Sequence, residues 1–382
     1  MTSTSTDYGL YIHIPWCVKK CPYCDFNSHE KRGDYDEDKY VESLIKDLNI
    51  ESARVKNRRL SSIFIGGGTP SLFSASSIQR ILAATQRLLN LSDELEITLE
   101  ANPGTAEADK FAAFHQIGIN RLSIGVQSFN DQHLLKLGRV HDGGQAHRAI
   151  KMAQDAGFER INLDLMFGLP QQSIEQAVED VELALGYQTG HMSHYQLTLE
   201  KNTLFYNNPP ALPHDDLIWQ MQTACQETIS TQLQQYEVSA YAAAQQQSRH
   251  NLNYWQFGDY IGIGAGAHGK LTNDSGVTHR YWKKKQPREY MDHAGTTACL
   301  GGESITPAAE LPFEFMMNAL RLKSGFSLEQ YRRRTHQDPA SVQPILDQLI
   351  DKNLIQLDAT TYRCTTQGWN FLNDTLEYFL PQ

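Results

Sequence analysis

What most limits the fold of this chain is an alternation. Six short runs rich in apolar and β-branched residues lie at 9–14, 62–66, 95–100, 121–126, 160–166 and 193–199. Between them run stretches of helical length and period at 36–55, 75–89, 106–117, 143–156 and 173–185, and a further one follows at 215–234. Asp36 and Ser173 stand where two of these helices need a side-chain cap. Strand and helix in turn give right-handed βαβ units, hence a parallel sheet covered by helices. Six units are too few to close an eight-stranded barrel. The expected class is therefore α/β, with a partial (β/α)6 barrel.

In parallel β/α folds, ligands gather at the C-terminal ends of the strands. Those ends carry unusual residues here: Gly66-Gly67-Gly68-Thr69-Pro70, Glu100-Ala101-Asn102-Pro103, Gln127-Ser128, and Asp164 ahead of Gly168-Leu169-Pro170. A carboxylate inside the apolar run INLDLM must find hydrogen bonds or a cation. The glycine turn admits two readings, a tight turn or a ligand cradle, and Glu100 can equally cap a helix or pair with an arginine. Strand one leads directly into Tyr11 to Phe26, YIHIPWCVKKCPYCDF. All of these residues are expected at one mouth.

That segment holds Cys17, Cys21 and Cys24 in C-x3-C-x2-C spacing. Thiolates this close favour zinc, Cu(I) or an iron–sulfur cluster. Three thiolates leave a four-coordinate zinc site short of one ligand, which His13 or His29 can supply. They can also hold three irons of a [4Fe–4S] cluster and leave the fourth open. Pro15 and Pro22 keep the segment out of regular helix, so that it can wrap such a centre. Three unliganded buried cysteines are the remaining reading.

Charge and cysteine usage narrow the setting. A net charge of −10 argues against a nucleic-acid partner held by bulk electrostatics. No apolar run has the length to span a bilayer. The first residues, MTSTSTDYGL, lack a charged region followed by an apolar one, and Cys225, Cys299 and Cys364 show no disulfide pattern. A cytoplasmic location is the expectation.

After about residue 240 the rhythm changes. Residues 249–270, RHNLNYWQFGDYIGIGAGAHGK, read as loops around a short glycine-interrupted strand. From 311 come helical patterns at 311–322, 327–334 and 340–352, a small hairpin at 354–357 and 361–365, and a final helix over 367–380. The expected divisions are a core at 1–240, a connecting segment at 241–305 and a helical, winged-helix-like domain at 306–382. The Arg332-Arg333-Arg334 run reads as a solvated helix face, not a nucleic-acid grip.

Taken together, YIHIPWCVKKCPYCDFNSH, IFIGGGTPSL, EANPGT, IGVQSF, NLDLMFGLP and HNLNYW resemble the radical S-adenosylmethionine (SAM) superfamily. Within it they are similar to the branch of the oxygen-independent coproporphyrinogen III dehydrogenases (HemN) and the HemW-type haem chaperones. The resemblance covers nearly the whole chain. It implies that Cys17, Cys21 and Cys24 ligate a [4Fe–4S] cluster whose open iron is chelated by SAM. It implies that Gly67, Gly68 and Thr69 contact SAM, the glycines because backbone N–H groups can come close only without a Cβ. Tyr11 and Tyr23 match aromatic positions beside cluster and SAM. Glu100, Gln127, Arg139 and Asp164 match polar positions that hold SAM or a second SAM, although an arginine like Arg139 is more often a surface residue.

HemN enzymes carry a fourth cysteine two residues after the third, where this chain has Phe26, and a longer N-terminal arm. Both departures point away from coproporphyrinogen decarboxylation, although the scaffold remains able in principle to cleave SAM to a 5′-deoxyadenosyl radical. They point to haem as cargo and to acceptor haem proteins, membrane-associated ones included, as partners. His250 in HNLNYW matches a motif implicated in haem binding, with Tyr254 and Trp255 lining an apolar pocket; a satisfied loop histidine is the alternative. His268, in GAHGK, is a second candidate ligand.

Overall fold

The computed structural model describes residues 7–31, 35–105 and 108–381. Among these residues one twelve-stranded sheet runs through the molecule. Its strands are β1 Tyr8–Ile14, β2 Arg59–Gly67, β3 Asn90–Ala101, β4 Arg121–Gln127, β5 Ile161–Phe167, β6 Gly190–Gln196, β7 Gln234–Glu237, β8 Ala240–Ala242, β9 Asp259–Ile263, β10 His268–Thr272, β11 Thr278–Lys283 and β12 Leu300–Ile305. In space they run β12-β11-β10-β9-β1-β2-β3-β4-β5-β6-β8-β7. From β9 to β6 every neighbouring pair is parallel. The outer strands on both sides pair antiparallel.

The parallel strands are buried on both faces, which is why they read as nearly unbroken apolar runs. In β1, Tyr8, Leu10, Ile12 and Ile14 are all buried, and β4 and β5 behave alike. Helices Glu37–Ser52, Ala75–Leu88, Ala108–Gln116, Gly143–Asp155 and Ile174–Leu185 connect successive strands. Their starts are set by side-chain caps. Asp36 accepts from the backbone of Lys39, while Ser173–Gln176 and Asp142–Gln145 form reciprocal capping boxes. The expected first residues of the third helix, Ala106 and Glu107, lie outside the described residues.

Two expectations need correction. Residues 249–270 are not loops around one strand: Arg249–Trp255 is a helix capped by Ser248, and Asp259–Ile263 pairs parallel with β1. Gly262 belongs to that strand because a Cβ there would stand 2.0 Å from the His268 carbonyl oxygen, so glycine permits close pairing and does not break it. The segment 241–305 thus widens the sheet instead of merely connecting two parts. At the C-terminus, the expected single helix is two, Thr366–Asn370 and Leu372–Glu377. The chain breaks at Phe371 (φ −114°, ψ 48°), between Asn370 and Asn373, residues that favour turns over helix interior.

The C-terminal module has its own core around Phe315, Phe326, Tyr331, Leu346 and Leu349. It is tied to the sheet by Arg321–Glu237 at 3.0 Å and Arg280–Glu314 at 2.6 Å. Of the arginine run, Arg332 and Arg333 are exposed on its helix.

A buried charge network fastens the added strands to the first helix. Lys283 Nζ lies 2.6 Å from Asp47 and 2.7 Å from Glu51. The Tyr290 and Tyr281 hydroxyls donate to the same carboxylates at 2.8 and 2.7 Å. Burial raises the Asp47 carboxyl, and Lys283 acts against it. Removing the cation strands two carboxylates in the interior. Lys283→Met is therefore expected to lower stability in urea denaturation by about 3–5 kcal/mol, with part of the loss recovered when Asp47→Asn and Glu51→Gln are added.

Candidate functional site

The cysteine segment leaves β1 and crosses the C-terminal end of the sheet, where its backbone is docked on the glycine turn after β2. The Gly68 N–H donates to Ile14 O at 2.7 Å and the Thr69 N–H to Trp16 O at 2.8 Å. This contact explains the glycines. A Cβ on Gly68 would lie 2.5 Å from the Trp16 carbonyl oxygen, and one on Gly67, whose φ is +121°, would lie 2.6 Å from His13 Cε1. These three residues line the cavity described below, with their N–H groups turned to partners within the chain. Those of Gly68 and Thr69 hold the cysteine loop, and that of Gly67 donates to Glu100 Oε2 at 3.0 Å. The Thr69 hydroxyl acts on the Cys17 thiol in the direction opposite to burial, lowering its pKa.

A cavity of about 490 Å³ opens under the loop. Cys17, Cys21 and Cys24 line its roof, with Tyr23 and Phe26 beside them; Gly67, Gly68, Thr69, Glu100, Gln127, Arg139 and Asp164 line its walls and floor. Burial, above all, raises the Cys17 thiol to about 11, and the neighbouring Cys24 and Cys21 add to it. Among the described residues no three His, Cys, Asp or Glu side chains are placed to share one ion. Thiolates on a cluster each take a different iron and need no such convergence.

The floor is acidic. Glu100 neither caps a helix nor pairs with an arginine. Burial pushes its carboxyl up to about 8, and nearby Asp164 pushes the same way, against the Gly67 N–H. Asp164 is raised by burial too, although it accepts from Asn162 Nδ2 at 2.7 Å and Ser123 Oγ at 3.0 Å. Arg139 is no surface residue. It donates to Gly125 O at 2.8 Å and reaches the Tyr23 hydroxyl at 3.5 Å and Cys21 Sγ at 3.7 Å, leaving its Nε buried without a partner. Gln127 sits at a bulge in β4 with φ +66° and accepts from the Tyr195 hydroxyl at 2.8 Å. Desolvated carboxyls beside a free guanidinium donor suit a ligand that carries both cationic and carboxylate groups.

Three expected residues lie elsewhere. Tyr11 lines a second cavity, its hydroxyl 2.9 Å from His13 Nδ1. His250 is buried away from both cavities and both its ring nitrogens are engaged, Nδ1 with Ser62 Oγ at 2.8 Å and Nε2 with the Tyr254 hydroxyl at 3.0 Å. His268 is exposed and lines the second cavity.

Sequence reasoning missed Ser123, Gly125, Ser193 and Tyr195, which also line the first cavity. A signal existed. These small or polar residues recur at every second position of β4 and β6, the period that sends side chains to one face of a strand.

Two family models match: the radical SAM superfamily over residues 11–184 and the HemN C-terminal domain over residues 307–371. The chain is 46% identical over 379 residues to the haem chaperone HemW of Haemophilus influenzae, covering 98% of each. It is 46% identical over 375 residues to that of Escherichia coli K12, again covering 98% of each. The chain belongs to the HemW family of the radical SAM superfamily. It is also 34% identical to a mitochondrial radical SAM domain-containing protein 1 of Mus musculus, covering all of this chain and 89% of that one. The fold matches that of E. coli HemN, a coproporphyrinogen III oxidase, with a TM-score of 0.82 over 98% of this chain and 90% of that one, at 19% identity. Superfamily membership brings a [4Fe–4S] cluster and SAM as cofactors. The HemW-family cavity described above has the donor set for both: three thiols, and carboxyls opposite an unsatisfied guanidinium. No helix of the described residues is long and apolar enough to cross a membrane.

The raised carboxyls have a pH signature. The Glu100 carboxyl titrates near 4.5 unfolded and near 8 folded, so the folded state holds the extra proton between those values. Its contribution to stability is complete below the unfolded value and is lost as pH rises through about 8. Urea midpoints of the cofactor-free protein measured across this window are expected to fall with pH for the wild type and to fall less for Glu100→Gln.

Proposed function

We propose that this chain is a haem chaperone: it binds haem and transfers it to acceptor haem proteins, using a [4Fe–4S] cluster and SAM in that cycle. The observation that carries the reading is full-length similarity, at 46% identity over 98% of the chain, to proteins named haem chaperones. Phe26 supports it. Where a HemN enzyme has a further thiol, this chain presents an apolar ring, 58% exposed, at the edge of both cavities.

In this reading Cys17, Cys21 and Cys24 hold the cluster. Tyr23, Glu100, Gln127, Arg139 and Asp164 hold SAM, and Gly67, Gly68 and Thr69 line its cavity with their N–H groups already engaged. When bound, the reduced cluster can supply one electron to the SAM sulfonium. The chain's own part is orientation and charge. Glu100 and Asp164 accept hydrogen bonds from ammonium and hydroxyl groups, and a cation beside them favours their ionised forms against the burial that raises both. Arg139 offers Nε and its remaining N–H groups to a carboxylate, while the docked loop keeps bulk water from the thiols. Acceptor proteins, including membrane-associated ones, are the proposed partners.

The test is anaerobic. Reconstituted wild type is expected to contain one cluster, and Cys17→Ser to lose its visible iron–sulfur absorption. The wild type is also expected to bind haemin stoichiometrically, with a shifted Soret band, and to pass it to an apo haem protein. Robust conversion of coproporphyrinogen III without haem transfer would overturn the assignment in favour of a decarboxylase on the same scaffold.

A further inference from the structure

Behind the acidic floor of the first cavity, the sheet carries a row of polar side chains. Ser123 of β4, Asn162 of β5 and His191 of β6 are direct neighbours across the strands, and Asp164 and Ser193 form the next pair along. Residues two apart in a strand share a face, so the pair stands on the same side as the row. Asp164, Ser123 and Ser193 line the cavity. Asn162 and His191 are buried beside them, and the buried Tyr236 of β7 ends the row. Polar groups in the middle of a sheet buried on both faces lose their water, and only hydrogen bonds offset that loss.

Asn162 makes every bond its amide allows. Nδ2 donates to Asp164 Oδ1 at 2.7 Å and to Ser123 Oγ at 2.8 Å. Oδ1 accepts from Ser193 Oγ at 3.0 Å and meets His191 Nδ1 at 2.6 Å. Ser123 in turn donates to Asp164 Oδ2 at 3.0 Å. An ionised carboxylate only accepts, and this sets the direction of each bond behind it. Asn162 presents its NH2 to Asp164 and its carbonyl to His191, so His191 carries its proton on Nδ1. Its Nε2 is then an acceptor, 2.9 Å from the Tyr236 hydroxyl. Burial, with Arg121 adding to it, holds this imidazole well below its usual range, so the ring is neutral and one tautomer serves both neighbours. An amide turned the other way would set its carbonyl against the carboxylate.

Resting on the reading that this cavity takes SAM, we propose that His191 and Asn162 are positioning residues for Asp164. The Nδ1–H tautomer of His191 locks the Asn162 amide, and the amide aims Asp164 so that its remaining lone pairs face the ammonium and hydroxyl groups of the ligand. Neither residue touches the ligand. Glu100, Arg139 and Tyr195 face the same carboxyl and act on it through charge. Its orientation comes from Ser123 and Asn162, and that of Asn162 from His191 and Ser193.

Two measurements test this. In the full chain carrying isotope-labelled histidine, nitrogen NMR is expected to show a neutral His191 ring protonated at Nδ1, its signals assigned by their loss in His191→Gln. The second measurement is SAM affinity of the anaerobically reconstituted protein by equilibrium dialysis. His191→Phe keeps a flat ring without its nitrogens and is expected to weaken SAM about tenfold. His191→Gln, whose amide can donate to Asn162 and accept from Tyr236, is expected to stay within about threefold of the wild type. Asp164→Ala is expected to weaken SAM by itself, and adding His191→Phe to it is expected to cause no further loss, because the side chain through which His191 acts is gone. Circular dichroism and cluster content report that each variant is folded, and the tautomer measurement does not depend on His191→Phe. A ring protonated at Nε2, or a His191→Phe loss equally large with and without Asp164→Ala, overturns the positioning role while SAM keeps its cavity. If the wild type binds no SAM, the reading of the cavity fails and takes the positioning role with it.

Discussion

The arrangement of the mouth depends on one backbone contact. Gly68 and Thr69 donate to Ile14 and Trp16 across a gap too narrow for a side chain. The contact fixes where the cysteine loop leaves the sheet, and therefore where three thiols hang. It also turns the Gly67 N–H toward Glu100 at 3.0 Å, so that the turn locates the nearest carboxyl as well as the loop. A loop carrying Pro15 and Pro22 has little regular hydrogen bonding of its own, and this docking supplies what it lacks.

Around that contact the site is held in electrostatic tension. Glu100 and Asp164 face one recess, each raised by burial, and Arg139 is anchored on Gly125 with its Nε unpartnered. Left to itself, such a recess costs stability, because ionising either carboxyl there forfeits solvation that no cation replaces. In the buried network of Lys283, Asp47 and Glu51, burial also raises Asp47, but a cation and hydroxyl donors meet both carboxylates directly. The contrast separates a closed structural network from an open one that a ligand completes.

Much of this was legible in the sequence because the signals were periodic or chemically rare. Alternation of apolar runs and helical stretches gave the parallel strands, since both-face burial leaves an unbroken apolar record. The cysteine spacing, the glycine turn, Glu100 and Asp164 stood out because each breaks its local pattern, and the structure brings them to one cavity. What was not legible depended on pairing across long separations. Arg249–Trp255 reads as a loop although it is a helix, and the short glycine-interrupted strand beyond it shows its partners only when β1 and β10 are laid beside it. His250 looked like a ligand because a histidine between aromatics is chemically suggestive; Ser62, 188 residues away, takes one of its nitrogens. Arg139 looked like a surface charge because the carbonyl that anchors it, Gly125, becomes its neighbour only through the turn of the chain after β4.

The second cavity changes what the cysteine loop is for. The loop's inner face carries the thiols and its tail carries Phe26, Asn27 and His29, so one short stretch of chain forms the wall between two recesses. The wall is thin: Ser28 N–H bonds to Phe26 O at 2.7 Å, and the Cys24 thiol meets Ser28 Oγ at 3.6 Å. A shift at Cys24 is therefore passed to Phe26 and Ser28 within a few bonds, while Asn27 holds the far side to Ala265 and Lys285. A fourth thiol at position 26 would place another soft ligand on that wall and suit a centre confined to one side. An exposed phenylalanine there leaves the cluster with three thiolates and gives the neighbouring recess an apolar surface.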